Sequence, residues 1–212
     1  MENIKAVIFD IDGTLADSLD VWADADRIFL ARRGYEYDSS VSAAMKTMHF
    51  MSAAEYLRQL YHIPDSLESV ASEITDIVRE KYFFEVKLMP YAKELIEALK
   101  KRGIKMCAAT SNSLELAEGV LRHNGILDSI EFIITSDEAD SSKDDPRIFY
   151  MCAEKMGTSP AETAVIEDSP HAAKTAFDSG FYTIGTNSGH FGDFEALKGC
   201  VHRRIESFKE LI

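Results

Sequence analysis

Four apolar residues in a row, Ala6-Val7-Ile8-Phe9, run straight into Asp10-Ile11-Asp12-Gly13-Thr14. A strand that is apolar at every position has no solvent face, so it belongs inside a sheet covered on both sides, which points to a parallel sheet flanked by helices. Parallel strands need crossover connections, and the rest of the chain supplies strand and helix in alternation. The stretch from Tyr91 to Arg102 carries Leu95, Ile96 and Leu99 on one helical face, ends at Gly103, and leads into an apolar run over 104–109. Runs over 130–134, 163–166 and 182–184 follow, each reached through an amphipathic segment. The expected fold class is α/β: a doubly wound parallel-sheet, Rossmann-like core.

Between 17 and 89 the alternation stops. Residues 18–33 present Leu19, Trp22, Ala23, Ile28 and Leu30, and residues 66–84 present Leu67, Val70, Ile74, Ile77 and Val78, all at helical spacing. This predicts a helical domain at 17–89 inserted into a core made of 1–16 and 90–212. Leaving directly after the first strand, the insert is expected to hang over that strand's C-terminal end. Phe50, Tyr82, Phe83 and Phe84 read as packing within the insert, and Trp22 as core.

Charge narrows the partners. Lys+Arg number 23 against 36 Asp+Glu, a net charge of -13, which repels nucleic acid and anionic membranes. A small anionic substrate requires a metal ion or a cluster of donors where it binds. Cys107, Cys152 and Cys200 form an odd set without zinc-ligand spacing, so they read as thiols in a reducing compartment. The N-terminal apolar run is too short for a signal peptide or a membrane span, and a cytoplasmic protein is the expectation. No feature of the sequence dictates an oligomeric state.

The chemistry concentrates after the first strand. If the backbone stays extended through Asp12, a period of two aims Asp10 and Asp12 the same way, beyond the end of a buried strand. Gly13 then permits a sharp departure of the chain, letting the following amides approach an anion. An acidic loop of ordinary turn residues is the alternative reading of the same stretch.

Together with three further motifs, this stretch resembles the haloacid dehalogenase superfamily of phosphotransferases, in particular the members with a small helical cap after the first motif. The second motif, a hydroxyl residue ending the second core strand, looks like Thr110 in Ala109-Thr110-Ser111-Asn112. The third, a lysine, looks like Lys143 in Lys143-Asp144-Asp145-Pro146. The fourth, an acidic pair, looks like Glu167-Asp168 in Val165-Ile166-Glu167-Asp168-Ser169. The resemblance spans nearly the whole chain. It implies a phosphatase acting on a small phosphorylated metabolite, such as a sugar phosphate or phosphoglycolate-like acid.

In that scheme Asp10 attacks phosphorus to form an aspartyl-phosphate. Asp12 protonates the leaving oxygen and later deprotonates the attacking water, so it must carry a proton in the first step. Mg2+ is held by Asp10, the Asp12 carbonyl and Asp168, with Glu167 behind them. Lys143, the Thr110 hydroxyl and the groups of Ser111 and Asn112 bind the phosphoryl oxygens. Two positions depart from the family pattern: Asp144 stands where a proline often follows the lysine, and Ala172, beside His171, where a glycine is usual.

Related branches are separable. A dehalogenase generally lacks the carboxylate at Asp12. A phosphonate hydrolase resembles Asp-x-Ala-Gly-Thr and uses a cap lysine, for which Lys46 is the candidate here. A hexose-phosphate mutase, β-phosphoglucomutase-like, shares the Asp-x-Asp pair but resembles Lys-Gly-x-Ser-Arg in its cap, whose arginine grips a second phosphate. This chain has Lys46-Thr47-Met48 and Ser52-Ala53-Ala54 there, with Arg58 a turn further on. The mutase is therefore the alternative enzyme, and a non-catalytic phospho-ligand-binding regulator the alternative class. Lys46, His49, Phe50, Arg58, Asn112 and His190 are candidates to face substrate.

Overall fold

The computed structural model describes residues 3–38, 41, 44, 45, 48, 50–189 and 194–212. The chain divides into two compact units, one made of 1–19 with 82–212 and the other of 20–81.

In the smaller unit, helix α1 (Val21–Ala31) buries Val21, Ala25, Asp26, Phe29 and Leu30. That face is rotated from the expected one, because the polar Asp26 interrupts the stripe and hides it from a hydrophobicity reading. Trp22 lies beside the face, edge-on to Phe50 at 5.2 Å. Helix α2 (Phe50–Leu60) buries Ala54 and Leu57. Helix α3 (Leu67–Phe84) buries Val70, Ile74, Ile77 and Val78. Arg33 joins α1 to α3, its guanidinium gripping Glu73 at 2.7 and 3.0 Å and lying 4.0 Å over the Phe29 ring.

The larger unit is a six-stranded parallel sheet of β1 (Ala6–Phe9), β2 (Lys105–Thr110), β3 (Ile133–Thr135), β4 (Thr163–Glu167), β5 (Tyr182–Thr186) and β6 (Arg203–Ile205), in the order β3-β2-β1-β4-β5-β6. This is the expected α/β class. Strand β1 sits between β2 and β4 and is 1% exposed or less at every residue, as its unbroken apolarity requires. The strand order reverses at β1, and in such sheets ligands bind beyond the carboxyl ends at the reversal. Helices α4 (Ala92–Lys101), α5 (Leu114–His123), α6 (Arg147–Met156) and α7 (Pro170–Asp178) make the crossovers. Ile148, Phe149, Cys152, Met156 and Phe181 pack with Ile8 and Cys107 in one core cluster.

Two features differ from expectation. The third strand begins at Ile133, because 127–129 coil into a short 3-10 turn first. Among the described residues strand β6, with sequence Arg-Arg-Ile, pairs only with β5; an edge strand can leave charged side chains in solvent, so it carries no apolar signature. All three cysteines are free thiols. Among the described residues no helix is long and apolar enough to cross a membrane.

Candidate active site

Asp10 extends β1 by one rung, its amide donating to the Ile166 carbonyl at 3.0 Å. The chain then turns tightly: Gly13 takes φ +84°, and the Ala16 amide returns to the Ile11 carbonyl at 2.8 Å. Side chains from the ends of β1 and β4 and from the loop before α6 meet there in a cleft of about 460 Å³, lined among others by Asp10, Asp12, Ser111, Lys143, Asp168 and His171.

At its floor the Lys143 ammonium contacts Asp10 Oδ1 and donates to Glu167 Oε1 at 2.9 Å. The other Glu167 oxygen accepts from the amides of Asp168 (2.8 Å) and Ser169 (3.1 Å), so this carboxylate is engaged on both sides. Thr14 Oγ1 donates to Asp168 Oδ1 at 3.2 Å. Asp10, Glu167 and Asp168 each offer an oxygen within 4.8 Å of the others, and all three are buried. Asp10 Oδ2 is buried with no hydrogen-bond partner among the described residues. A buried carboxylate oxygen left bare beside two further carboxylates is what a hard divalent cation satisfies.

The charge state follows from this crowding. Burial pushes the Asp10 carboxyl well above its usual range, and Glu167 adds to this while Lys143 opposes it. Burial and the Glu167 charge push Asp168 up to about 7. For Lys143 burial acts downward, but the two carboxylates it touches outweigh burial and hold it above its ordinary value. The lysine is a fixed cation among groups that resist joint ionisation.

Thr110 is fully buried, and its hydroxyl oxygen accepts the Asn112 amide at 3.0 Å, leaving its proton to donate. Ser111 is exposed on the cleft wall. The Asn112 side chain instead donates to Asp12 Oδ2 at 3.3 Å and to the Tyr82 hydroxyl at 3.1 Å. Asp12 Oδ1 accepts from Ser18 Oγ at 2.7 Å and from Tyr82 Oη at 2.5 Å. Tyr82 thus contacts a site residue rather than only packing within the insert, and the reading from sequence missed it. Nothing local could reveal it, since the tyrosine lies on a buried helical position 70 residues from its partner. Phe84 is 70% exposed and packs little.

His171 is exposed and lines the cleft with Ala172 and Asp144. Arg58 is held by Glu55 of its own helix through contacts of 2.6 and 2.8 Å. Lys46, His49 and His190 lie outside the described residues.

Residues 4–180 match the family model of the haloacid dehalogenase-like hydrolases, and the chain belongs to that family. It is 26% identical over 185 residues to the fructose-1-phosphate phosphatase of Escherichia coli K12, covering 86% of this chain and 96% of that protein. It is 25% identical over 181 residues to the phosphorylated carbohydrates phosphatase of Thermotoga maritima, covering 85% and 84%. A solved structure from Thermotoga maritima, assigned as a beta-phosphoglucomutase, superposes with a TM-score of 0.87 at 24% identity over 95% of this chain and 94% of the other, a likeness of fold. Within the family the chain is a phosphoric monoester hydrolase.

Proposed function

We propose that this enzyme hydrolyses a small phosphorylated metabolite, of the sugar phosphate or phosphoglycolate kind, through an aspartyl-phosphate on Asp10. The observation that carries this reading is the buried Asp10 carboxylate, clamped on one oxygen by Lys143 and bare on the other, at the floor of a cleft. The relatives described as fructose-1-phosphate and phosphorylated carbohydrate phosphatases support the substrate class.

Asp10 attacks phosphorus as the ester P–O bond breaks, and Asp12 passes a proton to the departing oxygen. Water then attacks the aspartyl-phosphate, its proton returning to Asp12, and inorganic phosphate leaves. Lys143 balances charge on the nucleophile and on the transferring group, while the Thr110 hydroxyl and the amides around Ser111 donate to the phosphoryl oxygens. Asp10, Asp168 and the Asp12 carbonyl would hold Mg2+, which when bound supplies positive charge between the carboxylates and the phosphate. Glu167, with both oxygens engaged, orients Lys143 and the Asp168 loop rather than binding the metal itself.

A mutase needs a cap cation to grip a second phosphate. Arg58, the candidate, already spends its fork on Glu55, which favours hydrolysis. The test is phosphate release from p-nitrophenyl phosphate and a panel of sugar phosphates with and without Mg2+. Magnesium-dependent release that Asp10→Asn abolishes is the expected result. Release that survives Asp10→Asn overturns the proposal, and turnover only in the presence of a sugar bisphosphate points to the mutase.

A further inference from the structure

Asp12 has two oxygens in unlike surroundings. Oδ1 accepts two hydroxyls, Ser18 at 2.7 Å and Tyr82 at 2.5 Å. Among the described residues Oδ2 has one long contact, 3.3 Å to the Asn112 side-chain amide. The Tyr82 hydroxyl also accepts from that amide at 3.1 Å, so phenol, amide and carboxyl close a ring of hydrogen bonds. We infer that Tyr82 is a positioning residue for the acid and base: with Ser18 it pins Oδ1, fixes the plane of the carboxyl, and leaves Oδ2 to exchange the proton with the substrate oxygen.

This inference rests on the phosphatase reading above and adds to it a residue, a named oxygen and a reason for their geometry. In the first step the proton leaves Oδ2 for the departing ester oxygen as the ester P–O bond breaks and the Asp10 oxygen bonds to phosphorus. In the second, a water proton arrives at Oδ2 as the water oxygen bonds to phosphorus, the bond from phosphorus to Asp10 breaks, and phosphate leaves with Asp10 restored as a carboxylate. Oδ1 keeps both hydroxyl contacts throughout, so the group that moves protons need not turn between steps. A freely rotating carboxyl would lose part of the advantage of a positioned proton donor.

Tyr82 can serve this way only if its own backbone is fixed relative to Asp12, and the segment that carries it is fastened to the core. The Phe83 ring lies where Gly119 of α5 has no side chain; a Cβ built there would stand 2.1 Å from the ring. Asn124 donates to the Val86 carbonyl at 3.0 Å, the Asp17 amide donates to the Lys87 carbonyl at 3.0 Å, and the Met89 amide donates to the Leu15 carbonyl at 2.8 Å. The last two bonds join this segment to the loop that bears Asp12 itself. Tyr82 is fully buried, and the close packing of a protein interior holds such a ring to one rotamer.

A phenol that merely satisfied a buried position would behave differently from one that aims a proton donor, and leaving-group dependence separates the two. p-Nitrophenolate departs readily without a proton, phenolate less so, and an alkoxide hardly at all. The experiment measures kcat/KM, which reports the first step, for p-nitrophenyl phosphate, phenyl phosphate and glycerol 2-phosphate in wild type and Tyr82→Phe. The expected result is a loss that grows along the series, about tenfold larger for the alkyl than for the nitrophenyl ester. Ser18→Ala, which removes the other hydroxyl from Oδ1, should change the series in the same direction and provides a second variant should Tyr82→Phe fold poorly. Equal loss on all three esters in both variants, or no loss, overturns the assignment of Tyr82 while leaving the phosphatase reading intact. A wild-type enzyme inactive on every ester overturns both.

Discussion

Gly13 meets two demands at one position. Its φ of +84° is open to glycine but costs an L-residue about 1–2 kcal/mol, and a Cβ there would stand 2.5 Å from Asp168 Oδ2. The bare backbone lets the acidic loop after β4 close against the loop after β1. Gly13→Ala therefore pushes aside a carboxylate proposed above to hold the metal. The Mg2+ concentration for half-maximal phosphate release should rise about tenfold or more, read by titrating Mg2+ at fixed substrate. Lys143 raises a different question, because it stabilises the very carboxylates it serves. Removing one partner of a buried charged cluster typically costs about 3–5 kcal/mol, so Lys143→Met should lose about 3 kcal/mol of stability as well as its activity. The pH dependence has a definite sign. Asp10 and Asp168 have folded pKa values raised above their unfolded ones, so their protonated forms favour the fold and that stability is lost as pH rises through the folded values. Without the lysine those values rise further, and urea unfolding should show the variant's deficit largest near pH 8 and smaller near pH 5. Of these residues, Asp10, Asp12, Thr110, Lys143 and Asp168 were legible in the sequence, because each sits at a strand end or the loop after it in a recognisable order. Tyr82 and the Phe83–Gly119 contact were not. A buried aromatic at a helical position has the same sequence appearance whether its hydroxyl meets a carboxylate of the candidate site or an ordinary backbone group.

Among the elements, the strands buried on both faces were the readable ones. Strand β1 announces itself by an unbroken apolar run, and β2, β4 and β5 by shorter buried stretches interrupted by a lysine, threonines, a glycine or a terminal glutamate, whereas β6 at the edge, Arg-Arg-Ile, has no such stretch. Helix α1 shows the converse difficulty. Its buried stripe of Val21, Ala25, Phe29 and Leu30 includes Asp26 at 8% exposure, a polar residue that breaks the periodicity on which the helix face is read. Burial pushes the Asp26 carboxyl up to about 7, against an unfolded value of about 3.9. The folded helix therefore prefers the protonated acid: the stabilising preference is full below about pH 4 and is lost as pH rises through 7. Between about pH 5 and pH 8 the wild type should lose about 2 kcal/mol on this account. Asp26→Asn has nothing to ionise there, and the difference in unfolding free energy between the two proteins should shift by that amount in the variant's favour across the same interval. A pH-independent difference would show that the Asp26 charge is already satisfied within the fold.

Taken as a whole, the molecule carries 13 more negative than positive charges and gathers three of its carboxylates into one buried pocket. Two effects of an added salt must then be told apart. Any electrolyte screens the general repulsion among surface carboxylates, over a Debye length of about 10 Å at 0.1 M. A divalent cation seated against Asp10 and Asp168 does something screening cannot, because it removes repulsion in a place that mobile ions do not enter and satisfies the bare Asp10 oxygen. Binding to the folded state alone stabilises by mass action, about 2.7 kcal/mol when the ligand stands at a hundred times its Kd. For a chain of this length that corresponds to a rise in Tm of about 5–10 °C. The measurement compares about 10 mM MgCl2 with NaCl at the same ionic strength, in wild type and Asp168→Asn. Magnesium should raise the wild-type Tm by several degrees beyond sodium, and Asp168→Asn should lose most of that excess while keeping the response to sodium. Equal shifts from the two salts in wild type would mean that the pocket holds no cation and that Lys143 alone balances its charge.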